Sequence, residues 1–401
     1  MPASENDSSL TVFVAFLGLG VRSFGGPIAH IGYLHEEFVT RRRWLSDEQF
    51  AQSLSVCQML PGPASSQLGF TIGLLRAGWG GALAAFAGFT APSALLLILL
   101  ARFAPLLDTG VGVPVVHGLK LTAVAVVAHG VLRLARQLTP DVTRLGIAVA
   151  AMIALSVAAS ASLQLAVIAA GALAGLLLCR APTPASSVFV VPAISVRAAA
   201  LAALLFGAGL LTALLWPGGS PSLGGTAAAF YRAGALVFGG GHVVLPLLEQ
   251  SLVATGWMSA DTFLLGYGAA QAIPGPLFSL AGYLGAALNT TAPSLLVAGV
   301  ATLAVFAPGF LLLVAVLPVW SRVCTLPRAG GLLAGVNAAV VGVLAAALYD
   351  PVFTSAVFGL PDLLIVAVAF SLLTFTRRST LWAVASCIAG AMLAQTPTAG
   401  L

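Results

Sequence analysis

The sequence predicts an all-α polytopic membrane protein of about 13 transmembrane helices, built as two homologous halves in an inverted-topology repeat with broken Pro-Gly-Pro helices. Three observations predict it. Of 401 residues, 59% are hydrophobic and 7% charged, against about 25% charged in a soluble domain. Apolar runs long enough to cross a bilayer follow one another along the whole chain. The string Gln58-Met59-Leu60-Pro61-Gly62-Pro63 returns as Gln271-Ala272-Ile273-Pro274-Gly275-Pro276.

The elements follow in order. Apolar runs cover 10–30, 50–75, 80–103 and 112–132. The run 144–178 is too long for one helix of about 20 residues, and Ser156 to Ser162 divides it into two short ones. A Pro-rich linker, 180–197, carries Pro182, Pro184 and Pro192. Then come 197–216, 226–248, 262–288, 292–320, 331–349, 361–376 and 380–396. The expected organisation is a first repeat at 1–180, a linker and connecting helix at 181–225, and a second repeat at 226–401.

The repeat is ordered. At an offset of 213, which carries Gln58 to Gln271, Glu36 falls on Glu249, Trp44 on Trp257, Ser46 on Ser259, Phe50 on Phe263, Ser66 on Ser279 and Gly69 on Gly282. Phe24-Gly25-Gly26 falls on Phe238-Gly239-Gly240 at 214, and Ala91-Pro92 matches Ala307-Pro308. With about six spans per half and 197–216 between them, equivalent helices run in opposite directions. A cytoplasmic N-terminus then puts most arginines inside, with Arg41-Arg42-Arg43, Arg102 and Arg232 as dissenters outside.

Pro61 and Pro63 have no amide hydrogen, and each pushes its predecessor out of the helical region. One helix stops near Met59, and a second restarts with Gly62 as N-cap and Pro63 in first position. The amides of Ala64, Ser65 and Ser66 then point at the break. The second copy repeats this with Gly275, Pro276 and the amides of Leu277, Phe278 and Ser279. Broken backbone at membrane depth persists only inside protein or beside a water-filled cavity. A helix start attracts anions, and two of them on a pseudo-two-fold suit a dianion. A packing kink explains one copy equally well; two copies, each with a glutamine (Gln58, Gln271) three residues earlier, favour binding.

Gly25-Gly26 and Gly240-Gly241 mark a second pair of breaks, each followed by a histidine, His30 or His242. Glu36 and Glu249 are candidate proton- or ion-coupling carboxylates; for Glu36 the alternative is pairing with Arg41 to Arg43. Lys120, Arg22 and, by a looser match to Lys120, Asn337 are candidate anion contacts, with snorkelling as the alternative for the cations. No phosphate loop, zinc motif or cysteine pair is present, so no catalytic residue, metal or cofactor is expected. The net charge of +5 is spread between apolar runs and reads as topology, not nucleic-acid binding.

The strings Phe24-Gly25-Gly26-Pro27, Ala29-His30-Ile31, Glu36-Glu37-Phe38-Val39, Arg41-Arg42-Arg43-Trp44-Leu45 and Gln58 to Pro63 resemble the chromate ion transporter family. Phe238 to Leu247 and Gln271 to Pro276 are similar to its second-half motifs, which marks the long, two-domain form. The resemblance implies a bacterial inner-membrane protein that exports chromate on the membrane potential or proton gradient and confers chromate resistance. Sulfate, equal in shape and charge, is the alternative substrate or competitor, and a passive anion channel the alternative mechanism. Whether the chain forms a homodimer stays open.

Overall fold

The computed structural model describes residues 8–158, 160–179, 194–217, 219–238, 240–320, 327–376 and 379–395. Among them are sixteen α-helices, joined by short 3-10 and π turns, and no strand. In order they are α1 Ser9–Gly20, α2 Gly26–His35, α3 Asp47–Met59, α4 Ala64–Phe103, α5 Gly112–Leu138, α6 Val142–Val157, α7 Ala161–Leu178 and α8 Val196–Leu215. The second half supplies α9 Leu223–Leu236, α10 Val244–Leu252, α11 Ala260–Ala272, α12 Leu280–Ala287, α13 Ser294–Val316, α14 Pro327–Ala347, α15 Leu360–Phe375 and α16 Thr380–Gln395. Five stretches are long and apolar enough to cross a membrane: Ala64–Leu107, Gly112–Leu138, Val196–Leu215, Ser294–Val319 and Gly330–Phe353. Shorter apolar helices stand beside them, and the chain is a multi-pass membrane protein.

Local signals place the ends. Ser46 accepts the Gln49 amide while the Gln49 side chain accepts the Ser46 amide, a capping box that starts α3. Ser259, its repeat counterpart, caps α11 by accepting from Thr262. Asp141 and Ser160 cap α6 and α7, so the long run 144–178 does divide where its serines stand. Of the linker, 180–193 lies outside the described residues.

The run 50–75 is not one span. In a straight line α3 and the first arm of α4 (64–76) would carry the chain about 40 Å. Instead Arg42 and Arg76 lie over the same Trp44 ring, at 5.3 and 5.4 Å. The chain goes in along α3, turns at Pro61-Gly62-Pro63 and comes back along α4. At Ala77 and Gly78 (φ 60°) it reverses again, and the second arm (79–103) crosses. Gly73 and Gly81 face each other there with the two backbones in contact.

Three more runs double back. In 10–30, α1 stops at Gly20 and α2 returns, with Phe16 stacked on Phe38 at 4.7 Å. In 226–248, Arg232 of α9 donates to Ser251 of α10 at 3.1 Å. In 262–288, Gly266 of α11 lies against the Tyr283 ring of α12. Proline and glycine mark these positions as breaks and leave open whether the segment spans or is re-entrant; local dihedrals alone do not say whether a broken helix continues or reverses.

The halves meet along α4 and α13. Phe70 stacks on Phe310 at 4.7 Å, and Phe86 meets Phe306 edge-on at 5.0 Å. Phe278 adds a tilted contact to Phe306 at 5.6 Å. Each such pair contributes roughly 0.5–1.5 kcal/mol beyond its buried area. Gly20 packs under Pro92 and Gly234 under Pro308, the same small-residue contact in both halves.

Candidate functional site

Each half presents two hairpin tips, 21–25 and 60–63 from the first, 237–240 and 273–276 from the second. The tips are bonded across the halves. Gly62 donates its amide to the Val237 carbonyl at 2.8 Å, and Gly275 donates to the Ser23 carbonyl at 2.9 Å. Val237 stands 214 residues after Ser23, and Gly275 stands 213 after Gly62. One contact is therefore made twice, with the halves exchanging roles.

Glycine is required at both donors. Gly62 has φ 118° and Gly275 φ 113°, a region closed to most side chains. A Cβ at 62 would stand 3.0 Å from the Gly309 Cα, and one at 275 would stand 2.6 Å from the Ser93 Oγ.

Two expectations at these tips need correction. The glycines do not cap the restarting helices: Pro63 caps α4, whose first residue is Ala64, and Pro276 caps the turn Leu277–Ser279 that leads into α12. The third amides are not free either. Ser66 donates to the Pro63 carbonyl at 2.8 Å and Ser279 to that of Pro276 at 2.9 Å. A tight first turn consumes them, which leaves Ala64 and Ser65, and Leu277 and Phe278, as the leading amides.

The two Pro-Gly-Pro tips differ in their surroundings. Around Gly275 the neighbours are polar. His30 Nε2 lies 3.1 Å from the Ser23 carbonyl; a carbonyl only accepts, so the ring proton sits on Nε2 and Nδ1 points elsewhere. Ser93 donates to the Thr90 carbonyl at 3.0 Å, so the Ser279 hydroxyl, 2.7 Å from it, donates to Ser93. The buried atoms Ser23 Oγ, His30 Nδ1, Thr90 Oγ1 and Gln271 Nε2 have no protein partner. Buried polar atoms are normally satisfied, so four on residues that flank this tip make it the candidate place for a polar ligand.

Around Gly62 the space is filled. The Gln67 amide donates to the Pro61 carbonyl at 3.0 Å and to the Gly309 carbonyl at 2.9 Å. Val237, Phe306 and Gly309 stand where the other tip has Ser23, Thr90 and Ser93. Ser66 Oγ and Gln67 Oε1 are its unpartnered atoms.

The remaining candidates scatter. Gln58 is exposed, whereas Gln271 is 7% exposed. Gly25, Gly26 and Gly240 take φ of 100°, 77° and 143°, Gly241 is buried, and Gly239 lies outside the described residues. The Lys120 ammonium is on Asp261 at 2.6 Å, and Arg22 is on Glu37 at 2.5 Å, so both cations already hold carboxylates. His242 Nδ1 is 2.7 Å from the Tyr267 hydroxyl. Asn337 is half-buried on α14, Glu249 is half-buried on α10, and Glu36 is exposed.

Glu37, not Glu36, gathers the arginines. Its side chain is 4% exposed and takes Arg22, Arg42 at 2.7 Å and Arg41 at 3.1 Å. Burial pushes its carboxyl up, but hydrogen bonds and charge from Arg42 and Arg22 outweigh it and hold it below the usual range. The sequence drew attention to Glu36 because Glu36 recurs. Ser23, Gln67, Thr90, Ser93 and Glu37 were passed over because their counterparts are Val237, Leu280, Phe306, Gly309 and Gln250. Their signal was the mismatch between the copies.

Comparison with known proteins bears on what this site handles. A family model described as "Chromate transporter" matches residues 10–176 and again 225–393. A probable chromate transport protein of Synechococcus elongatus is 29% identical over 348 residues, 83% of this chain and 81% of its own. The chromate transport protein of Cupriavidus metallidurans is 28% identical over 337 residues, covering 83% and 80%. That of Pseudomonas aeruginosa is 28% identical over 342 residues, covering 84% and 80%. No solved structure gives a significant match.

Proposed function

Because the chain belongs to the chromate transporter family, whose members are transporters and not enzymes, we propose that it exports chromate from the cytoplasm as a secondary active transporter and so confers chromate resistance. The observation that carries this reading is the reciprocal pair Gly62–Val237 and Gly275–Ser23, with unpartnered polar atoms collected at the second tip. The dianion sits at that tip. The leading amides of Leu277 and Phe278, the Gln271 amide and the Ser23 and Thr90 hydroxyls are its donors, and His30 adds one when its ring is protonated. The halves rock about the bonded tips, opening the site to each side in turn. The membrane potential or proton gradient drives the cycle.

The topology proposed is nine crossings and four re-entrant hairpins. The crossings are the second arm of α4, α5, α6, α7, α8, α13, α14, α15 and α16. Four crossings in each half plus α8 still set the halves in opposite orientation, so inversion survives the change in span count. It also improves the charge pattern. With the N-terminus cytoplasmic, Arg41, Arg42, Arg43, Arg76, Arg133, Arg136, Arg144 and Arg197 share the cytoplasmic side, and Arg102 faces them from the other. Arg41 to Arg43 thus cease to dissent. The repeats extend over 1–180 and 226–401 about a linker at 181–225, consistent with the two matched segments, and the membrane is the bacterial inner membrane.

The test is accumulation. Cells making the protein should hold less chromate than cells without it and tolerate more, with sulfate present as a competitor. Equal accumulation in both strains would reject the proposal.

A further inference from the structure

Away from the tips, α9 carries an arginine that its half of the molecule leaves without a carboxylate. Arg232 lies in an apolar helix, and among the described residues its guanidinium donates to the Ser251 hydroxyl alone, at 3.1 Å. Ser251 donates its own proton to the Leu247 carbonyl at 2.8 Å, so it only accepts from the guanidinium. The guanidinium has five N–H groups, and one bond leaves donors over. No acidic side chain pairs with it among the described residues. An uncompensated charge at such a depth is expensive unless something neutralises it.

Arg232 opens into a small, partly open cleft shared with Gln164 of α7 and with Gln250 and Ser251 of α10. Gln164 is 5% exposed, and its Nε2 has no partner. A guanidinium and an orphaned amide donor thus converge on one space, with the Gln250 amide beside them.

The repeat shows what is unusual here. At the offset of 213, Gln250 is the counterpart of Glu37. In the first half that carboxylate neutralises Arg22, Arg41 and Arg42. In the second half its neutral amide takes the position, and the nearby cation goes unpaired. The counterpart of Arg232 is Gly18, and the counterpart of Ser251 is Phe38, so the first half lacks these polar groups at the matching positions.

We infer that Arg232, Gln164 and Gln250 form a second anion-binding site that takes a small tetrahedral oxyanion, separate from the hairpin tips. The anion supplies the charge that Glu37 supplies in the first half. α9, α10 and α7 meet here on the side of the molecule where α9 begins, which makes the site a stop for an oxyanion on the side opposite the arginine-rich face.

The test is equilibrium binding of radiolabelled inorganic sulfate to the full chain in nanodiscs. It needs no transport, so its outcome stands apart from whether the chain moves chromate. Gln250→Glu should lose one equivalent of bound sulfate relative to wild type, because the new carboxylate pairs with Arg232. Gln250→Ala, which removes a neutral donor and adds no charge, should bind that equivalent more weakly without losing it, and Arg232→Gln should lose it. Monodispersity on gel filtration guards against unfolding, and the Arg232→Gln variant decides the matter should Gln250→Glu fail to fold. Equal stoichiometry in wild type, Gln250→Glu and Arg232→Gln would overturn the inference, as would a wild type that binds no sulfate.

Discussion

Gly275 hands its amide hydrogen to the Ser23 carbonyl at 2.9 Å, and through that bond a broken helix of the second half is seated on a broken helix of the first. The Gly62 amide makes the same bond to Val237 in the opposite sense. Among the described residues these two glycines are the ones at which a side chain is excluded twice over, by φ and by a close neighbour from the other half.

Gly275→Ala should therefore destabilise the protein and not merely weaken binding. The left-handed backbone costs an alanine about 1–2 kcal/mol, and its Cβ drives into the Ser93 hydroxyl. Thermal denaturation in nanodiscs should show a lower Tm for Gly275→Ala and for Gly62→Ala, whose Cβ meets the Gly309 backbone.

Thr90→Val removes a buried, unpartnered hydroxyl that the account places on the chromate, without touching the backbone. Folding should suffer by no more than about 1 kcal/mol, while chromate transport falls by an order of magnitude or more. A variant at the filled tip, Ser66→Ala, should keep near-normal transport. Transport rates in vesicles, normalised to protein level, give the comparison.

Glu37 predicts an acid-sensitive fold. Its folded carboxyl titrates below the ordinary 4.5, so as pH falls the unfolded chain takes the proton first. The stability it confers is complete above that value and is lost as pH drops through the folded one. Tm should decline on acidification from about pH 5 downward in the wild type. Glu37→Gln should start lower at neutral pH, by about 1–3 kcal/mol, and lack that part of the acid slope.

The hairpin at Pro61-Gly62-Pro63 sets a labelling prediction. Thr40 and Trp79 are exposed on either side of it in sequence. Single cysteines at Thr40 and Trp79, in a chain with the native cysteines replaced, should react with an impermeant maleimide from the same face of the membrane. Reaction from opposite faces would restore 50–75 as a crossing.

Much of this architecture was legible in the sequence. The ordered matches at 213 and 214 gave the duplication; Ser46 and Ser259 stood out only as one of those matches, although both cap helices. An inverted relation follows by parity from the span count read in the sequence and equally from the nine crossings proposed above. What was not legible is long-range. That Arg76 returns to the Trp44 ring depends on the path of the chain through Gly62, which a list of apolar runs does not contain. Recurrence between the halves reveals the repeat but hides the site. The polar tip is polar through Ser23, Thr90 and Ser93, none of which recurs.

The central claim, that the second tip carries a chromate dianion across the membrane, is tested most directly by chromate uptake into inverted inner-membrane vesicles. Energised vesicles containing the protein should accumulate chromate above the external concentration, and vesicles with Thr90→Val at equal abundance should not. Uptake no greater than in vesicles lacking the protein, or undiminished in Thr90→Val, would contradict the account.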